Sequence, residues 1–198
     1  MGLEIVNTLA IVIASIVAIC GISAWRKEFQ GKRRIELAEE VLVLFYEARD
    51  AITAIRSPFG FLGEGLTRKP QEAETEQEKE ARDRAYVVYE RFDKRKEVFS
   101  KLHSKRYQFM ARFGTDKTKP FDDLRHVVID IQCAANELAE LWCEVPLDEE
   151  HKKRLREQIK EQKSIFWYSG KKDLLVPRLE KAISDIETVC RPIIVGNE

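Results

Sequence analysis

The sequence predicts an all-α protein: one N-terminal transmembrane helix followed by a cytoplasmic antiparallel helical bundle with a long charged helix, a coiled-coil-like arm. Three observations predict it. The chain carries no charge from Ile5 to Trp25 and is dominated there by Ile, Val, Ala and Leu. Beyond that stretch the apolar residues recur at steps of three and four, the period of a helix, and no run alternates as a half-buried strand does.

The first element is read as a membrane anchor over residues 1–25. About 20 apolar residues at 1.5 Å each cover the roughly 30 Å hydrocarbon core of a bilayer. A cleavable signal peptide would start with positive charge and use a shorter apolar run, whereas Met1 to Glu4 holds one acidic and no basic residue. Trp25, Arg26, Lys27, Lys32, Arg33 and Arg34 follow the apolar stretch. Lys and Arg are retained on the cytoplasmic side, so the expected location is the inner (plasma) membrane, single-pass, with the N-terminus outside and residues 26–198 cytoplasmic. The same residues form an interfacial collar facing anionic lipid headgroups, each cation contributing about 1 kcal/mol near the surface. Within the anchor, Ala10, Ala14, Ala18 and Gly21 line one stripe of small residues, a contact face of the kind that lets helices approach closely.

Residues 26–198 suffice for one domain with its own core. Leu37, Val41, Leu44, Phe45, Ala48, Ile52 and Ile55 place one face of a first helix against that core, and Ser57, Pro58 and Gly60 end it. A glycine-rich loop with Phe59, Phe61 and Leu62 follows. A long helix is expected over about 71–113, acidic at its start with Glu72, Glu74, Glu76 and Glu78, and carrying the seam Ala81, Ala85, Val88, Phe92, Phe99, Leu102, Phe109 and Phe113. If it breaks, the break is expected near Ser100 to Ser104. Pro120 opens the next helix, whose buried face is Leu124, Val127, Val128, Ile131, Ala135, Leu138, Leu141, Trp142 and Val145, stopped by Pro146. Asp148 caps a helix bearing Leu155, Ile159 and Phe166. A last helix from about Asp173 presents Leu175, Leu179, Ala182, Ile183, Ile186 and Val189 until Pro192.

The run from Trp25 to Phe59 resembles the start of a group of uncharacterised bacterial single-pass membrane proteins. The residues that carry the resemblance are Trp25, Arg26, Glu28, Gly31, Lys32, Arg33, Glu36, Leu37, Ala38, Tyr46, Arg49, Asp50, Ala51, Arg56, Pro58 and Phe59, with Ile165, Phe166 and Trp167 further on. The resemblance implies a membrane-anchored helical protein and supplies no catalytic residue.

Composition and motif exclude several functions. With 34 Lys+Arg against 34 Asp+Glu, there is no general basic field to hold nucleic acid, and no nucleic-acid partner is expected. Arg91-Phe92, Arg106-Tyr107 and Arg112-Phe113 mix cations with aromatics, but most of those rings lie on the proposed seam. Asp123 with His126, and Asp148 with His151, share an i, i+3 spacing used by metal-binding helix bundles. His126 falls on the side away from the apolar face, and Asp148 serves better as a cap, so no metal or cofactor is expected. His126, Asp130, Cys133 and Glu137 line a polar stripe. Cys20, Cys133, Cys143 and Cys190 contain no Cys-x-x-Cys pair. No nucleophile elbow or phosphate-binding loop occurs, and Ser169-Gly170-Lys171-Lys172 is too short to replace one.

The four residues Ile165, Phe166, Trp167 and Tyr168 cannot all face one way on a helix, and Phe166, Trp167 and Tyr168 are read as a partner surface. Together these features predict a membrane-tethered, non-enzymatic interaction or scaffold protein, self-associating or engaging another membrane or cytoplasmic protein. The alternative is a membrane-acting effector of a bacterial stress or phage-defence system, whose cytoplasmic domain senses a signal. A third class is an enzyme with an unfamiliar site made from scattered Glu, Arg and His residues.

Overall fold

A computed structural model describes residues 2–60, 63–170 and 173–196; for 2–8 and 10–12 it describes the backbone alone. Phe61 and Leu62, expected to tuck against the core, lie outside the described residues, as do Lys171 and Lys172. Those described form six α-helices and no strand, the all-α bundle that the three- and four-residue spacing requires.

Helix α1 (Gly2–Ile55) runs unbroken for 54 residues, roughly 80 Å at 1.5 Å per residue. Its two halves have different surroundings. From Ala38 onward, Val41, Leu44, Phe45, Ala48, Ile52 and Ile55 are buried, the face expected from their spacing. Before that, Leu9 and every residue from Ile13 to Gln30 is exposed. No helical break separates an anchor at residue 25 from the domain that follows.

Among the described residues no helix is long and apolar enough to cross a membrane. This overturns the expected single-pass location with an external N-terminus and a cytoplasmic C-terminal domain. In the helix that contains the apolar run, the charged and polar segment that begins with Arg26, Lys27 and Glu28 continues without a break.

The expected long arm over 71–113 is also corrected. It divides into α2 (Glu76–Asp93) and α3 (Lys96–Phe113), and the corner lies at Lys94 and Arg95 rather than near Ser100 to Ser104. Helix α2 begins with a reciprocal capping box, Thr75 Oγ1 accepting from Glu78 N at 3.2 Å while Glu78 Oε2 accepts from Thr75 N at 2.8 Å. This satisfies two N–H groups that the first turn leaves without partners. At the corner the rings of Phe92 and Phe99 stack with centroids 4.9 Å apart. Bending there lets α2 pack on α4 while α3 packs on α1, so both segments bury their seams instead of projecting.

Gly114 (φ +99°) turns the chain into one turn of 3-10 helix at Thr115–Lys117, and α4 (Lys119–Leu141) follows with Pro120 in its first turn. Helix α4 packs against α2, α5 and α6 and buries Phe121, Leu124, Val127, Ile131, Ala134, Ala135 and Leu138. It ends at Leu141, earlier than expected, and Val145 is 70% exposed rather than buried. Asp148 caps α5 (Glu149–Phe166), its carboxylate accepting from His151 N at 2.6 Å. Helix α6 (Val176–Val195) starts later than Asp173 and continues through Pro192 to a left-handed Gly196. Pro192 has no N–H to offer Thr188 O, so α6 gives up one backbone bond there, and Gly196 N–H closes the helix on Pro192 O.

Candidate interaction surface and its anchoring

Helix α1 presents Leu9, Ile13, Ile16, Val17, Ile19, Ile22, Trp25 and Phe29 at 48–66% exposure. At about 100° per residue these side chains are spread around the whole circumference, so the surface is a collar of apolar groups rather than a stripe. Ala14, Ala18 and Gly21 of the expected contact face lie within it and are exposed; Ala10 lies outside the residues described with side chains. At its base Trp25 stacks on Phe29 with centroids 5.7 Å apart, and Arg33 sits over the Phe29 ring at 5.3 Å. Arg34 lies over Phe113 at 5.6 Å. Arg26, Lys27 and Lys32 are exposed. The cationic segment is therefore where α1 leaves the bundle, tied to α3 by the Arg34–Phe113 contact, of a kind worth roughly 0.5–1 kcal/mol when exposed.

The opposite end of α1 is held by two buried arginines. Arg56, 2% exposed, donates from Nε to Ile165 O at 2.7 Å and from Nη2 to Ser164 O at 2.9 Å and Trp167 O at 3.0 Å. Its two Nη atoms also grip Asp173, at 2.9 Å to Oδ1 and 2.8 Å to Oδ2. One side chain thus occupies the carbonyls at the end of α5, which a helix C-terminus leaves without donors. Asp173 in turn accepts from the N–H groups of Ser169, Leu175 and Val176 at 2.9–3.0 Å and so organises the entry to α6. Burial pushes the Asp173 carboxyl up, but the hydrogen bond and charge of Arg56, with the Ser169 and Val176 N–H groups, outweigh it and hold the pKa below the ordinary value.

Arg91, 4% exposed, does the same for α1 itself. It donates to Ile55 O at 3.1 Å, Ser57 O at 2.6 Å and Phe59 O at 2.8 Å, and forms a two-point contact with Glu64 at 2.6 and 3.2 Å. Its guanidinium also lies 5.7 Å from the Trp167 ring. The next loop is tied by Arg68 to Glu74 and Asp83, both at 2.7 Å, and by Gly65 N to Glu90 at 2.6 Å. The Arg68 hydrogen bond holds the Glu74 carboxyl low, and the Gly65 N–H does so for Glu90. Gly65 has φ +88°, and a Cβ there would lie 2.1 Å from Asp83 O, so only glycine fits this approach.

The aromatic cluster at the end of α5 is divided by these contacts. Phe166 is fully buried, against Trp142 at 6.0 Å and Trp167 at 4.2 Å, which corrects its reading as part of a partner surface: the ring fills the core. Trp167 is partly buried over Arg91. Tyr168 is 46% exposed, and its N–H donates to Arg56 O at 2.8 Å.

The residues singled out for chemistry do not converge. Asp123 lies 3.8 Å from Lys119, His126 is exposed, Asp148 is engaged as a cap, and His151 Nε2 lies 2.8 Å from Glu144. On the polar stripe Asp130 pairs with Arg178 at 2.6 Å, while Cys133 and Glu137 face solvent. Among the described residues no group of three or more His, Cys, Asp or Glu is placed to hold a metal ion. Burial pushes the Cys190 thiol up to about 12, which leaves it protonated and a poor nucleophile at neutral pH.

The residues that the sequence did not single out for this role are Arg56, Arg91, Glu64 and Asp173. The available signal was position: Arg91 stands three residues after Val88 on the α2 seam, and Arg56 directly follows Ile55. A comparison with protein families, with curated proteins and with solved structures found no match to this chain. The functional reading therefore rests on the bundle and on the surface that α1 presents.

Proposed function

We propose that this chain is a non-enzymatic interaction module that assembles with copies of itself through the exposed half of α1. The observation that carries the reading is the collar of large apolar side chains from Leu9 to Phe29, each about half exposed or more. Soluble monomers rarely present contiguous apolar surface beyond a few hundred Å², and a helix that is apolar all round belongs in a buried setting. A second copy is the matching partner, because identical collars bring identical lengths of apolar helix. The Ala14, Ala18 and Gly21 side offers the closest approach between two axes, and the bulkier residues elsewhere on the circumference remain for further copies. Assembly beyond the dimer follows, since one pairwise contact covers only one side of the collar.

Light scattering on the intact chain, beside a variant carrying Ile19→Glu and Ile22→Glu, tests this. Both positions are more than half exposed, so the bundle itself should be unaffected and retain its far-ultraviolet circular dichroism. The intact chain is expected to exceed a dimer and the variant to be monomeric. A monomeric intact chain, or an unchanged oligomer in the folded variant, would refute the proposal. Ala14→Leu separately reports the small-residue side, with weaker assembly expected.

A further inference from the structure

A cavity of about 380 Å³ opens between α1, α3 and α4, beside the corner where α2 ends. Its volume lies within the range of small-molecule sites, roughly 300–1,000 Å³, and is enough for about a dozen waters at ~30 Å³ each. Phe45, Leu102, Phe121 and Leu124 form a buried apolar floor. The stacked rings of Phe92 and Phe99 make one wall, and Ile129 and Tyr107, 38% and 51% exposed, flank the mouth.

Two guanidiniums stand at this mouth against one carboxylate. Arg106, Arg125 and His103 line it together with a single carboxylate, Asp122, which is already engaged by Arg106 Nη2 at 3.0 Å. Arg125 is exposed at the rim. Arg106 Nε is buried without a hydrogen-bond partner, so this guanidinium retains an unsatisfied donor beside the apolar floor. A larger cleft of about 700 Å³ between α1 and α3 lacks this character: charged side chains line it, and Lys105 and Glu40 already pair across it at 2.6 Å.

The geometry points to a binding site for a small organic anion with a flat apolar body, its rings against Phe92, Phe99 and Phe121 and its carboxylate or comparable anionic group toward Arg125 and Arg106. The site is separate from the α1 collar and does not depend on assembly. Two probes of nearly equal shape test it, 2-naphthoate and the uncharged 2-naphthylmethanol, titrated into the full chain and followed by methyl NMR.

The expected result is saturable 2-naphthoate binding that shifts the methyl signals of Leu124, Val128 and Ile129. It should be tighter than naphthylmethanol binding by roughly threefold or more, the scale of a half-exposed charge contact. Arg125→Gln should remove that preference while leaving the neutral probe unchanged, and Ile129→Glu should abolish binding of the anion. Absence of saturation below about 1 mM, equal affinity for the two probes, or shifts confined to α1 residues before Phe29 would each overturn the assignment.

Discussion

Replacing Asp173 by asparagine keeps the shape of the side chain while removing its charge and one of its two acceptor oxygens. In the folded protein those oxygens receive five hydrogen bonds, two from Arg56 and three from the N–H groups of Ser169, Leu175 and Val176. An amide placed with its oxygen at the Oδ1 position can still serve Leu175 and Val176. Arg56 Nη2 and Ser169 N then face an NH2 group, and the guanidinium is left buried without a counter-charge. Removing one partner of such a pair costs about 3–5 kcal/mol. For a chain of this length each kcal/mol corresponds to roughly 2–4 °C, so a fall in melting temperature of at least about 6 °C is expected. Urea unfolding followed by circular dichroism at fixed protein concentration measures the loss. The Arg56→Met, Asp173→Asn double variant buries no unpaired charge but leaves the carbonyls of Ser164, Ile165 and Trp167 without the Arg56 donors, so it should lose less than the sum of the two single variants. The sign with pH follows from the depressed carboxyl pKa. The contribution is complete above the unfolded value near 3.9 and is lost as pH falls through the lower folded value. The gap between parent and Asp173→Asn should therefore narrow below about pH 4. A variant within about 1 kcal/mol of the parent at pH 7 would refute the assignment of structural weight to this pair.

Gly65→Ala places a Cβ against Asp83 O at a positive φ, so it should cost more than the ~1–2 kcal/mol of a left-handed alanine alone; thermal melting checks this. Thr75→Ala removes the acceptor for Glu78 N and should lower stability by about 1 kcal/mol, visible in the same urea assay. Toward a thiol reagent at pH 8, Cys133 should react fastest because it is exposed on α4, away from the α1 collar. Cys143, half-buried with its pKa raised by burial, should lag, and Cys190 should react only on unfolding; early modification of Cys190 would contradict its burial.

What could be read from the amino acids depended on how local the cause was. The buried face of α1 from Val41 to Ile55, the core face of α4 and the cap at Asp148 were legible because periodicity and capping act within a few residues. The corner at Lys94 and Arg95 was not. No Gly or Pro marks it, and the stacking of Phe92 on Phe99, with the separate docking of α2 and α3, settles it through tertiary contacts. Arg56 and Arg91 were hidden for another reason: arginine is ordinarily a surface residue, and both are buried because each supplies donors to carbonyls at a helix end. Phe166 looked like surface in a run of four large residues, yet it closes α5 on the buried side, and the turn that follows leaves Tyr168 half out. The apolar composition before Trp25 suggested a span, but among the described residues no helix is long and apolar enough to cross a membrane.

Because α1 is unbroken, its two halves cannot move independently. The bundle and the paired arginines grip one end of a rod, while roughly 50 Å of helix extends beyond. A tilt of about 5° at the gripped end sweeps the far end through about 4 Å over that length. A constraint imposed at the tip returns to the bundle with the same leverage. Copies joined by their tips would hold their bundles at a fixed separation, making α1 a spacer whose length, rather than its chemistry, sets the pitch of whatever is built from it.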